Sequence, residues 1–98
     1  MTTLREILQY EFWIIIHLYE NSDTQFYPRK ISQELGFPES SLNRKLKELE
    51  NQKLVQERDL GPLKIYKLTD SGEKRAEELT KIPGIIDLYN YLMEEMQS

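Results

Sequence analysis

The chain contains no cysteine and only one histidine among its 98 residues. Without cysteine there are no disulfides, thiol nucleophiles or thiolate metal sites, and a single imidazole leaves no histidine pair for zinc. We therefore expect no metal and no other cofactor. Glycine-rich phosphate loops are also missing, and His17 alone does not provide a Ser-His-acid arrangement. The sequence predicts that the protein is not an enzyme.

Long apolar runs are missing as well. The longest, FWIIIHLY at residues 12–19, is far shorter than the roughly 18 residues that span a bilayer. Arg5 is followed at once by Glu6, unlike the basic and then apolar start of a signal peptide. We expect a cytoplasmic protein without membrane contact. Its composition, 39% hydrophobic and 31% charged, is that of one globular domain with a single core.

The first helix is predicted over about residues 4–20. Thr3 and Glu6 have the spacing of a capping box, and apolar residues then recur at helical intervals until ENSD at 20–23 stops them. The helix is apolar on nearly every side, although a helix at the edge of a core needs only one apolar stripe. Its second face therefore requires a cover.

Two further helices follow, joined by a tight turn. Pro28 suits the first turn of a short second helix that Gly36 ends, and the third helix begins near Pro38 and Ser40. A short helix, a turn with a glycine and a longer helix predict a helix-turn-helix. Four side chains make up the predicted inward stripe of the third helix: Leu42, Leu46, Leu49 and the stem of Lys53.

The remaining chain alternates strand and helix signals. QFY at 25–27 is a candidate short strand, and residues 54–60 and 63–68 are predicted to form a β-hairpin around Gly61 and Pro62. A fourth helix then runs to Pro83, and a fifth, amphipathic helix runs from there to the end of the chain. Two residues compete as the cap of the fourth helix: Thr69, and Asp70 in capping-box spacing with Glu73.

The stretch ISQELGFPESSLNRKLKELENQKLVQERDLGPLKIYKLTDSGEKRAEEL, residues 31–79, resembles the winged helix-turn-helix transcriptional regulators of the MarR and PadR kind and their small archaeal and viral relatives. In such regulators a leucine and a glycine close the second helix, as Leu35 and Gly36 would here. A pair of serines or threonines opens the recognition helix, as Ser40 and Ser41 would.

The resemblance implies a mainly α fold with a small β-hairpin wing (α+β), a winged helix-turn-helix with an additional C-terminal helix. Residues 1–82 would form the DNA-binding domain, and residues 83–98 would form a dimerisation element. The implied function is that of a sequence-specific, double-stranded DNA-binding transcriptional regulator, in particular a repressor. It would act as a homodimer with the third helix in the major groove.

The side of the third helix opposite its leucines is polar, which suits that task. Arginine pairs well with guanine in the major groove, asparagine with adenine, and serine with bases or phosphates. A charged outer face often serves solvation alone, however, and Arg44 with Glu48 has the spacing of a weak surface pair. The predicted DNA contacts, including two wing residues directed at phosphates, are Ser40, Ser41, Asn43, Arg44, Lys45, Lys47, Arg58 and Lys64.

Net charge is −4, which is unusual for a DNA-binding protein, but the charge is unevenly distributed. Residues 29–67 hold nine basic and six acidic residues, a balance of +3. Residues 1–28 have one basic residue against four acidic, and residues 68–98 have three against seven. The positive balance is confined to the helix-turn-helix and the hairpin. We expect moderate nonspecific DNA affinity that depends on salt.

The hairpin tip departs from the family pattern. Wings often carry arginine or lysine at the tip, whereas Leu60 and Leu63 flank the turn here. Minor-groove reading by the wing is therefore open, because the leucines could close the hairpin against the domain or meet a partner. Together with the acidic pI of about 5.0, they favour an alternative function, a winged-helix protein-interaction module without DNA binding.

The fifth helix is the expected cover of the first, either within one chain or from a second chain. We expect the second arrangement, a homodimer whose recognition helices would lie about 34 Å apart. No small-molecule effector is assigned, since aromatic residues at helical spacing, and His17, are more often core or interface. The predicted dimer interface comprises Trp13, Ile85, Leu88, Tyr89, Leu92, Met93 and Met96.

Overall fold

The computed structural model describes residues 10–97, so the predicted capping box at Thr3 and Glu6 lies outside the described residues. The described part is mainly helical with one antiparallel hairpin, which confirms the predicted fold class. No helix in it is long and apolar enough to cross a membrane. The elements are α1 (Tyr10–Glu20), α2 (Pro28–Leu35), α3 (Glu39–Asn51), β1 (Val55–Leu60), β2 (Leu63–Leu68), α4 (Asp70–Thr80) and α5 (Ile85–Gln97).

Local signals set most element ends. Pro28 opens α2, and Gly36 closes it in the left-handed conformation at φ 71°, which glycine adopts without steric cost. The QFY segment contributes one isolated bridge, from Phe26 to Tyr66. Thr69 is the cap of α4, since its hydroxyl accepts the N–H of Gly72 at 3.0 Å.

One predicted core position is wrong. Lys53 is exposed and lies beyond the end of α3, in the left-handed region at φ 62°. Because the helix has already ended, the stem of Lys53 does not continue the inward stripe. The stripe itself is confirmed, since its three leucines are at most 1% exposed: Leu42, Leu46 and Leu49.

Helix α1 lies at the centre of the core, and α5 folds back within the same chain. Ile14 and Ile16 on α1 are fully buried, and Trp13 is 3% exposed. Ile85 and Tyr89 of α5 belong to the same hydrophobic cluster, and α5 packs against α2 and α4. The main helix against α1 is α4, not the expected α5, and α2, α3 and β2 also pack on it, so the described part of α1 is covered within one chain. Trp13, Ile85 and Tyr89 of the predicted dimer interface are likewise buried within one chain.

A chain of hydrogen bonds ties α5 to the helix-turn-helix through the core. Nε2 of His17 lies 2.8 Å from a carboxylate oxygen of Glu34 on α2, and Nδ1 lies 2.6 Å from the Tyr89 hydroxyl. Because a carboxylate only accepts, Nε2 donates to Glu34, while Nδ1 and the Tyr89 hydroxyl share the second hydrogen bond. Asn21 donates to the same hydroxyl at 3.3 Å. This chain is called the His17 network below.

Candidate nucleic-acid interface

Helix α3 is fixed by its buried leucines so that its opposite side faces solvent. Leu42 and Leu46 have no exposed surface, and each is surrounded by core residues. At 100° per residue the other side must then point outward. Five of the predicted DNA-contacting residues lie on that side or beside it, four of them exposed and Ser41 half-buried: Ser40, Ser41, Asn43, Arg44 and Lys47.

Arg44 and Lys47 are the cations that α3 offers to a ligand. Both are exposed, and neither forms an ion pair with any residue between 10 and 97. The surface pair of Arg44 with Glu48 suggested by their spacing is not formed, because Glu48 binds Lys45 instead, at 3.3 Å. A phosphate or a base edge therefore meets no competing carboxylate at these two side chains.

Lys45 was predicted to contact DNA, but its side chain forms ion pairs within the protein. Its Nζ lies 3.2 Å from Glu11 on α1 as well as 3.3 Å from Glu48, and only a quarter of its side chain is exposed. The hydrogen bond to Glu11 raises the pKa of Lys45. Lys45 thus bridges α1 and α3, and its charge is balanced inside the protein.

The register of the hairpin divides the wing into two faces. Leu60 pairs with Leu63 across the turn, and residues opposite each other in an antiparallel ladder share a face. The inner wing face contains Val55, Glu57, Asp59, Lys64, Tyr66 and Leu68. The outer wing face contains Ile65, which is buried, and five exposed residues: Gln56, Arg58, Leu60, Leu63 and Lys67.

The lysine on the inner wing face is paired with one of the two carboxylates there. Nζ of Lys64 lies 3.5 Å from Glu57, and the Tyr66 hydroxyl donates to the same carboxylate at 3.1 Å. Burial, together with that hydrogen bond, raises the pKa of Tyr66 to about 12, so the hydroxyl stays a donor. Lys64, predicted as a phosphate contact, therefore already has a carboxylate partner.

The outer wing face carries the uncompensated cations of the hairpin. Arg58 and Lys67 are exposed, and the described residues offer neither of them an ion-pair partner. Lys67 was not among the predicted contacts. Its place beside Arg58 follows from a two-residue turn at Gly61 and Pro62, which fixes the register and hence the faces. That signal was present in the sequence.

The described chain has the arrangement of a winged helix-turn-helix, in which a hairpin and a further helix follow the helix-turn-helix. This confirms the predicted fold. The solved structure of AF1382 from Archaeoglobus fulgidus is similar, with a TM-score of 0.73 and 27% identity over 84% of this chain and 94% of that chain. MepR, a transcription regulator of the Staphylococcus aureus multidrug efflux pump MepA, has a TM-score of 0.68 and 24% identity, over 89% of this chain and 64% of MepR.

A third similar structure is the adhesin competence repressor AdcR from Streptococcus pyogenes. Its TM-score is 0.66 at 18% identity, with 90% of this chain and 67% of AdcR covered. The chain thus spans about two thirds of the two bacterial proteins. No protein-family model and no curated protein matches the sequence. The closer assignment to the MarR or PadR kind stays a prediction.

Proposed function

We propose that the chain is a sequence-specific, double-stranded DNA-binding transcriptional regulator, a repressor that inserts α3 into the major groove. The observation that carries the proposal is the pair Arg44 and Lys47, both exposed on a helix fixed by buried leucines and both without a carboxylate partner in the described part of the chain. Two proteins of similar structure are named as a transcription regulator and a repressor, which supports regulation rather than catalysis.

The roles of the polar side chains follow from their positions on α3. The first turns of a recognition helix approach the base edges most closely. Ser40, Asn43 and Arg44 are assigned to bases there, with Ser41 at the margin, whereas Lys47 is assigned to a phosphate. On the wing, Arg58 is free for a phosphate, and Lys64 would first have to leave Glu57.

Removing both free cations of α3 should weaken DNA binding strongly. For Arg44→Ala combined with Lys47→Ala, we expect the dissociation constant for a fluorescent random-sequence duplex to rise about tenfold or more, because a base contact and a phosphate contact are lost. The slope of log affinity against log salt should also become shallower by about one to two, which corresponds to the loss of one or two phosphate contacts. Fluorescence anisotropy at two salt concentrations measures both quantities.

Lys74→Ala combined with Lys81→Ala is the matched control. It removes the same charge from exposed lysines of the α4 region, so its affinity should stay close to that of the wild type. Equal losses in the two double variants would mean that only net charge matters and that the assignment of α3 is wrong. A wild type that binds no duplex at low salt would contradict the proposed function and favour a protein-interaction module.

A homodimer is part of the proposal, with its contact on the outward side of α5. Tyr91 is 58% exposed, and Leu88 and Leu92 beside it are half-buried. Met93 also belongs to the predicted interface, but it packs against the core of its own chain. A second copy seated on the outward side would bury Tyr91 and place two α3 helices on one duplex.

Tyr91→Glu should convert that dimer to a monomer without unfolding it. A carboxylate in the middle of an apolar contact is costly to bury, whereas an exposed position tolerates it in the free chain. Sedimentation velocity should show the monomer mass for this variant and the dimer mass for the wild type. Tyr91→Phe serves as the control and should sediment as the wild type. A wild-type monomer at micromolar concentration would contradict the dimer.

A further inference from the structure

The wing ends in an apolar tip that no part of the described chain covers. Leu60 is 44% exposed and Leu63 is 39% exposed, although the two side chains are cross-strand neighbours. The leucines therefore do not close the hairpin against the domain. Their position at the end of a projecting element leaves them available to a ligand.

The charges around this tip select the kind of ligand. On the outer wing face, Arg58 and Lys67 follow the leucines towards the base of the hairpin and have no carboxylate partner among residues 10–97. The acidic side chains Glu57 and Asp59 lie on the inner wing face. There Lys64 forms an ion pair with Glu57 and is the cross-strand neighbour of Asp59. A ligand that matches this surface has an apolar cleft for the two leucines and negative charges beside the cleft for Arg58 and Lys67.

The conformation of the turn at the tip is also fixed by its own residues. Pro62 fixes one backbone angle of the two-residue turn, and Gly61 supplies the left-handed conformation at φ 83°. The Asp59 carboxylate accepts the N–H of Gly61 at 3.0 Å, which holds the turn closed. A preformed tip loses little conformational freedom when it binds.

We propose that the wing tip enters the DNA minor groove and that Leu60 and Leu63 act as a wedge at a base step, with Arg58 and Lys67 on the flanking phosphates. Apolar side chains inserted from the minor groove unstack base pairs and kink the duplex. The inference rests on the proposed DNA binding. It makes the wing a second element, besides α3, that contacts the base pairs. Pyrimidine–purine steps such as TA unstack most easily, so the wedge favours them.

The wedge is tested with a short duplex of alternating thymine and adenine in which 2-aminopurine replaces several central adenines. This base fluoresces more when it is unstacked. We expect the wild type at saturation to raise the fluorescence about twofold or more, since the wedge separates neighbouring bases. Leu60→Ser combined with Leu63→Ser should bind about three- to tenfold more weakly and give no rise when saturated.

Two further variants separate the wedge from binding as such. Leu60→Met with Leu63→Met keeps apolar side chains and should retain the rise in fluorescence. The double variant Arg44→Ala, Lys47→Ala should saturate the duplex only at a higher protein concentration. Its rise in fluorescence at saturation should equal that of the wild type. Both leucine variants should melt at the wild-type temperature, because the exposed tip adds little to stability.

Each failure has its own meaning. Wild-type binding without a rise in fluorescence, or the same rise from the serine variant, overturns the wedge and leaves the proposed DNA binding intact. Absence of binding to any duplex at low salt overturns both proposals, and the exposed leucines would then belong to a protein contact.

Discussion

Gly72→Ala should lower the free energy of unfolding by about 3 kcal/mol or more, a large effect for one methyl group. A Cβ at this position would collide with the carbonyl oxygen of Leu54 and would lie 3.1 Å from the Leu68 side chain. The Leu54 carbonyl is held in place because it accepts the N–H of Thr69 at 3.0 Å. Backbone, rather than a flexible side chain, would therefore have to move.

The sign of this effect makes it a sharp test. Gly72 lies inside α4, where replacing glycine with alanine ordinarily stabilises a helix by about 0.5–1 kcal/mol. Ser71→Ala, at the exposed neighbouring position, is the control and should change stability by less than about 0.5 kcal/mol. Chemical denaturation of the two variants measures both values. A Gly72→Ala protein as stable as the wild type would show that Leu54 and α4 are not in this close contact.

The contact at Gly72 also bears on function. Leu54 connects α3 to β1, and its N–H donates to the carbonyl of Leu49 on α3 at 3.0 Å. Displacing Leu54 would therefore shift the wing relative to α3. DNA affinity of the folded fraction should fall along with stability if α3 and the wing bind one duplex together.

Most of the fold could be predicted because its signals are local. Proline at the first turn of α2, glycine at its end and the two-residue hairpin turn each act on their own backbone, so spacing alone places them. The apolar stripe of α3 was predicted on the same basis, since its period needs only the helix geometry. The error at Lys53 arose where the periodicity was continued beyond the end of the helix.

The candidate site was only partly predictable, because pairing between distant charges depends on the tertiary fold. Nothing in the spacing of α3 shows that Lys45 meets Glu11, 34 positions earlier, while Lys47 meets no carboxylate among the described residues. The same holds for the cover of α1: its apolar character requires a partner helix, but the sequence does not say which chain supplies it. The structure gives α4 of the same chain as the main cover, while α5 reaches α1 through Tyr89, which is hydrogen-bonded to His17.

The His17 network explains how α5 is held in register against α1 and α2. Three of its side chains come from different helices, with Glu34 on α2, His17 on α1 and Tyr89 on α5. Apolar packing alone would allow α5 to slide, whereas buried polar groups must keep their partners or lose free energy. The network therefore couples the position of α5 to the first helix of the helix-turn-helix.

Removing either end of the buried contact should be costly, and the two losses should not add. Tyr89→Phe leaves Nδ1 of His17 buried without its hydrogen-bond partner, and His17→Leu removes the partner of both Tyr89 and Glu34. We expect each change to cost about 1–3 kcal/mol of unfolding free energy. The double variant should cost less than the sum by about 1 kcal/mol or more, because each change removes the same bond.

Denaturant unfolding of the four proteins completes this double-mutant cycle, with Tyr91→Phe as an exposed tyrosine on the same helix that should change stability by less than about 0.5 kcal/mol. Additive losses would mean that His17 and Tyr89 contribute independently and that packing alone holds α5. A coupled loss, joined by weaker DNA binding in the folded variants, would show that α5 fixes the helix-turn-helix through α2. The placement of α3 on DNA would then depend on a helix that lies outside the helix-turn-helix itself.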